Sequence, residues 1–98
     1  MSNDGFGFVL PPFSPEDALM TVRRTLRDFK LSERGNGFEL RGKRMLEISA
    51  EADALQIRLA RKLALTPEWD RFNVRNANDL RKFTDEVKKR LARWAQEE

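Results

Sequence analysis

The chain contains no cysteine, no histidine and no tyrosine among its 98 residues. The absence of cysteine excludes disulfide bonds and thiolate zinc sites. Cysteine and histidine are also the side chains that most often attack carbonyl groups, transfer protons or bind transition metals near neutral pH. We therefore expect a protein that is not an enzyme and that has no cofactor and no metal site.

The side chains that remain do not form a recognisable catalytic pattern. The serines have no histidine to activate them, and a serine–lysine arrangement stays open without a motif that supports it. The acidic pairs Glu16-Asp17 and Asp85-Glu86 are adjacent in sequence, so on helices their carboxylates do not face each other. The glycine spacing matches neither a phosphate-binding loop nor a dinucleotide fingerprint. No small-molecule substrate is indicated.

Long apolar runs are also absent, and residues 1–10 lack the basic start and apolar stretch of a signal peptide. A membrane span is not predicted. Together with the lack of cysteine, these features lead us to expect a cytoplasmic protein. The length corresponds to one domain, and the apolar residues are periodic, which indicates a folded chain.

Residues 1–13 are predicted to form an apolar arm that contains glycine and proline, and residues 14–98 to form a single α+β domain. The domain begins with a helix signal. Ser14 is a suitable N-cap, and Pro15 suits the first helical turn. The apolar residues that follow recur at helical spacing and predict one buried stripe to about residue 29: Leu19, Val22, Leu26 and Phe29.

A small antiparallel sheet of three to four strands is predicted after this helix. Gly35-Asn36-Gly37 is a turn signal, and Leu46 and Ile48 alternate with polar residues as in a half-buried strand. Residues 50–65 fit two patterns. Leu55, Ile57 and Leu59 alternate as in a strand, which we favour slightly, whereas a third helix is the alternative.

A long C-terminal amphipathic helix is predicted after a short last strand that contains Phe72. Asn76 is its expected cap, with Asp79 three residues later. Its apolar stripe recurs at steps of three and four: Leu80, Phe83, Val87, Leu91 and Trp94. The fold class is therefore α+β, with both helices packed on one face of the sheet.

The charge pattern favours nucleic acid as the partner of a small binding module. The net charge is +3, and thirteen of the nineteen basic residues are arginine, whose guanidinium group contacts phosphate in a planar geometry. Interleaved acidic residues also allow these cations to be ordinary solvated surface. The candidate nucleic-acid-binding residues lie on the helices, the turns and the strands: Arg23, Arg24, Arg27, Lys43, Arg44, Arg58, Arg61, Lys88, Lys89 and Arg93.

The alternative function is protein interaction, either as an adaptor or as a homodimer. An apolar arm can dock on a partner, tryptophan is enriched at interfaces, and exposed sheet edges favour self-association. The candidate partner-binding residues come from the arm and from the two tryptophans: Phe6, Phe8, Val9, Leu10, Phe13, Trp69 and Trp94.

Overall fold

The computed structural model describes residues 13–96, which form two helices and one five-stranded antiparallel sheet. The strands follow one another in the sheet in the order in which they occur in the chain. The elements are α1 (Pro15–Asp28), β1 (Ser32–Arg34), β2 (Gly37–Leu40), β3 (Lys43–Ala50), β4 (Leu55–Ala60), β5 (Trp69–Val74) and α2 (Ala77–Gln96).

Helix α1 begins and ends where its local sequence indicates. The Asp17 amide donates a hydrogen bond of 3.3 Å to the Ser14 hydroxyl oxygen, which caps the first turn. At the other end, Lys30 adopts a positive φ of 70°, and the Leu31 amide donates to the Leu26 carbonyl at 3.2 Å. This is a Schellman-type ending in which lysine occupies the position that usually holds glycine.

The sheet has five strands rather than the predicted three to four, and the prediction of an α+β fold with two helices is confirmed. The shortest strand is β1, which has only three residues, all exposed. Such a segment has no buried side chains and therefore no hydrophobic alternation from which a strand can be predicted. It forms because Gly35, at φ 61°, closes a tight turn onto β2.

Residues 55–60 are a strand, as we favoured, and the alternative of a third helix is wrong. Leu55, Ile57 and Leu59 are all fully buried on one side of β4, whereas a helix would expose Ile57. The preceding turn contains no glycine, proline or asparagine. It is closed by the Glu51 amide, which donates to the Ala54 carbonyl at 2.8 Å.

Helix α2 begins at the predicted cap. The Asp79 amide donates to the Asn76 side-chain oxygen at 2.8 Å, and the Asp79 carboxylate accepts from the Arg75 amide at 3.1 Å. Among the residues of its buried stripe, Phe83, Val87 and Trp94 are almost inaccessible to solvent. Arg90 is also buried on this helix, which the apolar periodicity did not predict.

One core lies between the two helices and a single face of the sheet. Its members come from every element except β1, and the largest of them are Trp94, Phe38, Phe83, Leu26, Met45, Leu46, Leu55, Ile57 and Leu59. Within residues 13–96, no helix is long and apolar enough to cross a lipid bilayer.

Candidate functional site

The sheet face opposite the helices carries a row of residues that runs across all five strands and is charged on four of them. We call this face the outer face. The strand register places five residues directly opposite one another from β1 to β5: Arg34, Gly37, Glu47, Arg58 and Arg71. Because neighbouring strands lie about 4.8 Å apart, this row is about 19 Å long.

Two further rows flank this one on the outer face. On one side, Glu39 lies opposite Arg44, and Ala60 lies opposite Trp69. On the other side, Ser49, Gln56 and Asn73 follow one another across β3, β4 and β5. The outer face therefore combines four arginines, two glutamates, one tryptophan and several hydrogen-bonding side chains.

Arg44 is held in place by four neighbouring groups. Its guanidinium donates to the Asn36 side-chain oxygen at 2.7 Å, the Glu47 carboxylate at 3.0 Å and the Arg34 carbonyl at 3.1 Å. A Glu39 carboxylate oxygen lies 3.8 Å away. Gly37 makes this arrangement possible, because a Cβ atom there would lie 2.8 Å from the Arg44 guanidinium carbon.

Glu47 lies between two arginines and neutralises part of their charge. It accepts hydrogen bonds from Arg58 and from Arg44. The hydrogen bond from Arg58 is the largest cause that lowers the pKa of the Glu47 carboxyl, and the bond from Arg44 acts in the same direction. The carboxylate is therefore ionised at neutral pH, and both arginines are oriented by it.

Arg58 and Trp69 form a stacked pair at the β5 side of the outer face. The Arg58 guanidinium carbon lies 5.2 Å from the centroid of the Trp69 ring, within the range of a cation–π interaction. The Arg58 side chain is 48% exposed, and Trp69 is half-buried. The outer face thus presents a guanidinium group that lies over an aromatic ring.

Two arginines of the central row, Arg34 and Arg71, form no ion pair with any of residues 13–96. Both are exposed. Beside this row, a shallow depression of about 210 Å³ is lined by Asn36, Glu47, Ile48, Ser49, Gln56 and Arg58. The Gln56 side-chain amide is hydrogen-bonded to that of Asn73 at 2.8 Å. The outer face therefore offers cations that have no ion-pair partner in the described part of the chain, next to amide and hydroxyl groups.

The outer face contains two of the predicted nucleic-acid-binding residues, Arg44 and Arg58. Three others, Arg23, Arg24 and Arg27, line a separate depression on α1 beside Glu33. Arg23 and Arg27 on α1 pair with Glu33 at 3.2 and 3.8 Å, and Arg61 pairs with Asp70 at 2.7 Å beyond the end of β4. The remaining predicted cations lie at the start of β3 and on α2: Lys43, Lys88, Lys89 and Arg93.

Sequence reasoning missed Arg34 and Arg71. The alternation of Phe72 and Val74 with polar residues already indicated that Arg71 lies on the outer side of a strand. The same signal was lacking for Arg34, because β1 is too short to show alternation.

Among the predicted partner-binding residues, Phe6, Phe8, Val9 and Leu10 lie outside the described residues. Phe13 is half-buried and packs against the core. Trp69 lies on the outer face, whereas Trp94 is 3% exposed and belongs to the core. Trp69 is thus the tryptophan that the surface of the domain presents.

Within residues 13–96, no group of three or more carboxylates is placed to hold a metal ion. Comparison of the chain with protein-family models, with curated proteins and with solved structures finds no match.

Proposed function

We propose that this protein binds single-stranded nucleic acid on the outer face of its sheet. The observation that carries the proposal is the central row, in which Arg34, Arg58 and Arg71 follow one line across the strands beside Trp69. Arginines on an open sheet supply cations along a path about 19 Å long. A flexible polyanion can follow such a path.

Phosphate contacts supply most of the affinity in this proposal. Arg34 and Arg71 are exposed and form no ion pair with residues 13–96, so binding a phosphate does not require them to leave a carboxylate. Each phosphate that an arginine neutralises releases a counterion, which makes binding weaken with salt. The expected interaction is therefore moderate in affinity and strongly dependent on ionic strength.

Stacking and hydrogen bonding supply contacts to the bases. Unpaired bases stack on aromatic rings and on guanidinium planes, and the Arg58 guanidinium, which lies over the Trp69 ring, provides such a plane. Ser49, Gln56 and Asn73 provide donors and acceptors in the adjacent row. These groups contact a base only when it is not already paired.

A double helix fits the outer face less well than a single strand. Reading a duplex requires a helix or a two-stranded ribbon that enters the major groove. Both helices of residues 13–96 pack on the opposite face of the sheet, where they contribute to the core. An open sheet face instead resembles the surfaces on which the bases of single strands stack.

The test is a titration of labelled single-stranded and duplex DNA and RNA with the full chain, at about 50 and about 200 mM salt. The outer-face variant is Arg34→Glu with Arg71→Glu. The matched control is Lys88→Glu with Lys89→Glu. It makes the same change in net charge on exposed residues of helix α2, on the opposite side of the sheet from the outer face. Circular dichroism verifies that both variants fold.

We expect saturable binding of single strands, weakened at least about tenfold at the higher salt and at least about tenfold by the outer-face variant. The α2 variant should bind nearly as the parent protein does. Loss of binding in the α2 variant alone would place the site on that helix and refute the outer-face assignment. An absence of binding at low salt would refute the function itself.

A further inference from the structure

Strand β5 leaves one of its edges without a partner among residues 13–96. It is the last strand of the sheet and has six residues in unbroken register with β4. Exposed edges are usually protected by short length, bulges, proline or charged side chains, most often lysine. The opposite edge is short, since β1 has three residues, whereas β5 has six residues and no bulge, proline or lysine. Of its two charged residues, Asp70 is paired with Arg61 and Arg90, and Arg71 is exposed.

The pairing with β4 determines which backbone groups of β5 point outward. The Arg61 amide donates to the Glu68 carbonyl at 3.0 Å, which marks this as a hydrogen-bonded pair in the antiparallel ladder. Hydrogen-bonded pairs alternate with non-hydrogen-bonded pairs along the strands. By this alternation, the amide and carbonyl groups of Trp69, Arg71 and Asn73 point away from β4 and toward the open edge.

We propose that two copies of this chain associate through their β5 edges, antiparallel, about a two-fold axis that passes beside Phe72. The outward groups of Arg71 and Asn73 then pair with those of Asn73 and Arg71 of the second copy. Four backbone hydrogen bonds form symmetrically around the axis, and the two sheets become one sheet of ten strands.

Repulsion between like charges disfavours the nearest alternative register. Pairing centred on Arg71 would also satisfy the outward backbone groups, but it would place two arginines directly opposite each other, which is destabilising. Centring on Phe72 places Arg71 opposite Asn73 and one Phe72 opposite the other. The Arg75 amide already donates to Asp79, so regular pairing ends before that residue.

This dimer does not depend on nucleic-acid binding. Edge pairing uses backbone groups, and the side chains of Arg58, Trp69 and Arg71 stay on the outer face. The two outer faces would then lie side by side on one continuous sheet. Failure of the dimer would leave the proposed function intact, and failure of nucleic-acid binding would leave the dimer intact.

The absence of native cysteine allows a direct test by disulfide trapping. Arg71→Cys and Asn73→Cys are prepared as separate proteins, both at exposed positions, and oxidised alone and as a mixture. In the proposed register, position 71 of one copy and position 73 of the other have Cα atoms about 5.5 Å apart, which a disulfide can span. The same position in the two copies, 71 with 71 or 73 with 73, lies on a diagonal of the ladder, about 7–8 Å apart.

We expect covalent dimers only in the mixture, detected by non-reducing electrophoresis and intact mass. The control is Arg81→Cys on α2, also exposed, which measures random collision. Crosslinking of Arg71→Cys alone would overturn the register. Crosslinking no faster than the control in every sample would overturn the dimer.

A second measurement tests the dimer without cysteine. Asn73→Pro removes an outward amide and should leave the pairing with β4 in place, because proline is tolerated on the free side of an edge strand. Sedimentation should give a dimer for the parent protein and for Asn73→Ala, and a monomer for Asn73→Pro. Equal masses for the two variants would contradict the proposal.

Discussion

The Arg90 guanidinium on α2 donates a hydrogen bond of 2.8 Å to the Asp70 carboxylate on β5, and this contact fixes the helix against the edge strand. Arg90 is only 8% exposed. It also donates to the Glu86 carboxylate at 2.8 Å and to the Ala60 carbonyl at 2.9 Å. A buried cation is thus fully partnered, as burial of charge requires.

Replacement of Arg90 by methionine should destabilise the fold. Methionine preserves much of the apolar stem but leaves Asp70, Glu86 and the Ala60 carbonyl without their donor, at a cost of about 1–3 kcal/mol. The free energy of unfolding from urea titration measures this. The control is Arg93→Met, an exposed residue of the same helix, and equal effects of the two substitutions would contradict the structural role of Arg90.

Stability should fall in acid because two carboxyl groups are better stabilised in the folded state when ionised. Hydrogen bonds, chiefly from Arg58 to Glu47 and from Arg61 to Asp70, lower the pKa of each carboxyl. A lowered folded-state pKa contributes stability above the unfolded-state value, which is about 4.3 for Glu and about 3.9 for Asp. This contribution is lost as the pH falls through the folded-state values.

Urea midpoints measured between about pH 7 and about pH 3 test this dependence. The parent protein should be nearly constant above about pH 5 and lose stability below about pH 4.5. The double variant Glu47→Gln with Asp70→Asn should be less stable at pH 7 and should lose less in acid. An unchanged acid loss in that variant would show that other carboxyl groups are responsible.

Glu47→Gln should strengthen nucleic-acid binding. The substitution preserves the shape of the side chain but removes the negative charge between Arg44 and Arg58. An interaction of about 1 kcal/mol, typical of two charges about 4 Å apart in water, corresponds to about a fivefold gain in affinity. Asp28→Asn, the same charge change at the end of α1, is the control. Equal gains would indicate an effect of net charge and not of the outer face.

Gly37→Ala should disturb the outer face through its backbone. The new Cβ would lie 2.4 Å from the Leu46 carbonyl oxygen and 2.8 Å from the Arg44 guanidinium carbon, so the strands or the arginine must move. We expect a loss of about 1–3 kcal/mol in the free energy of unfolding, as for other overpacked sites. Ser32→Ala, on the neighbouring strand, should change stability by less than about 0.5 kcal/mol.

Local signals in the sequence were sufficient to predict both helices and the residues that cap them. Ser14 and Asn76 cap α1 and α2 because their side-chain oxygens satisfy amides only three residues away. The alternation in residues 55–59 favoured a strand, and burial of Ile57 confirmed it. Arg90 was not anticipated, because its burial depends on Asp70, which lies 20 residues earlier in the chain.

The sequence by itself determined the fold class, the helix ends and the separation of apolar from polar faces, since these follow from capping and periodicity over a few residues. Only the tertiary structure decided that Arg34, Glu47, Arg58 and Arg71 share one row and that one edge of β5 has no partner strand within residues 13–96. Both features depend on the order and register of the strands. Order and register are determined only when segments that are distant in the sequence pair with one another around one core.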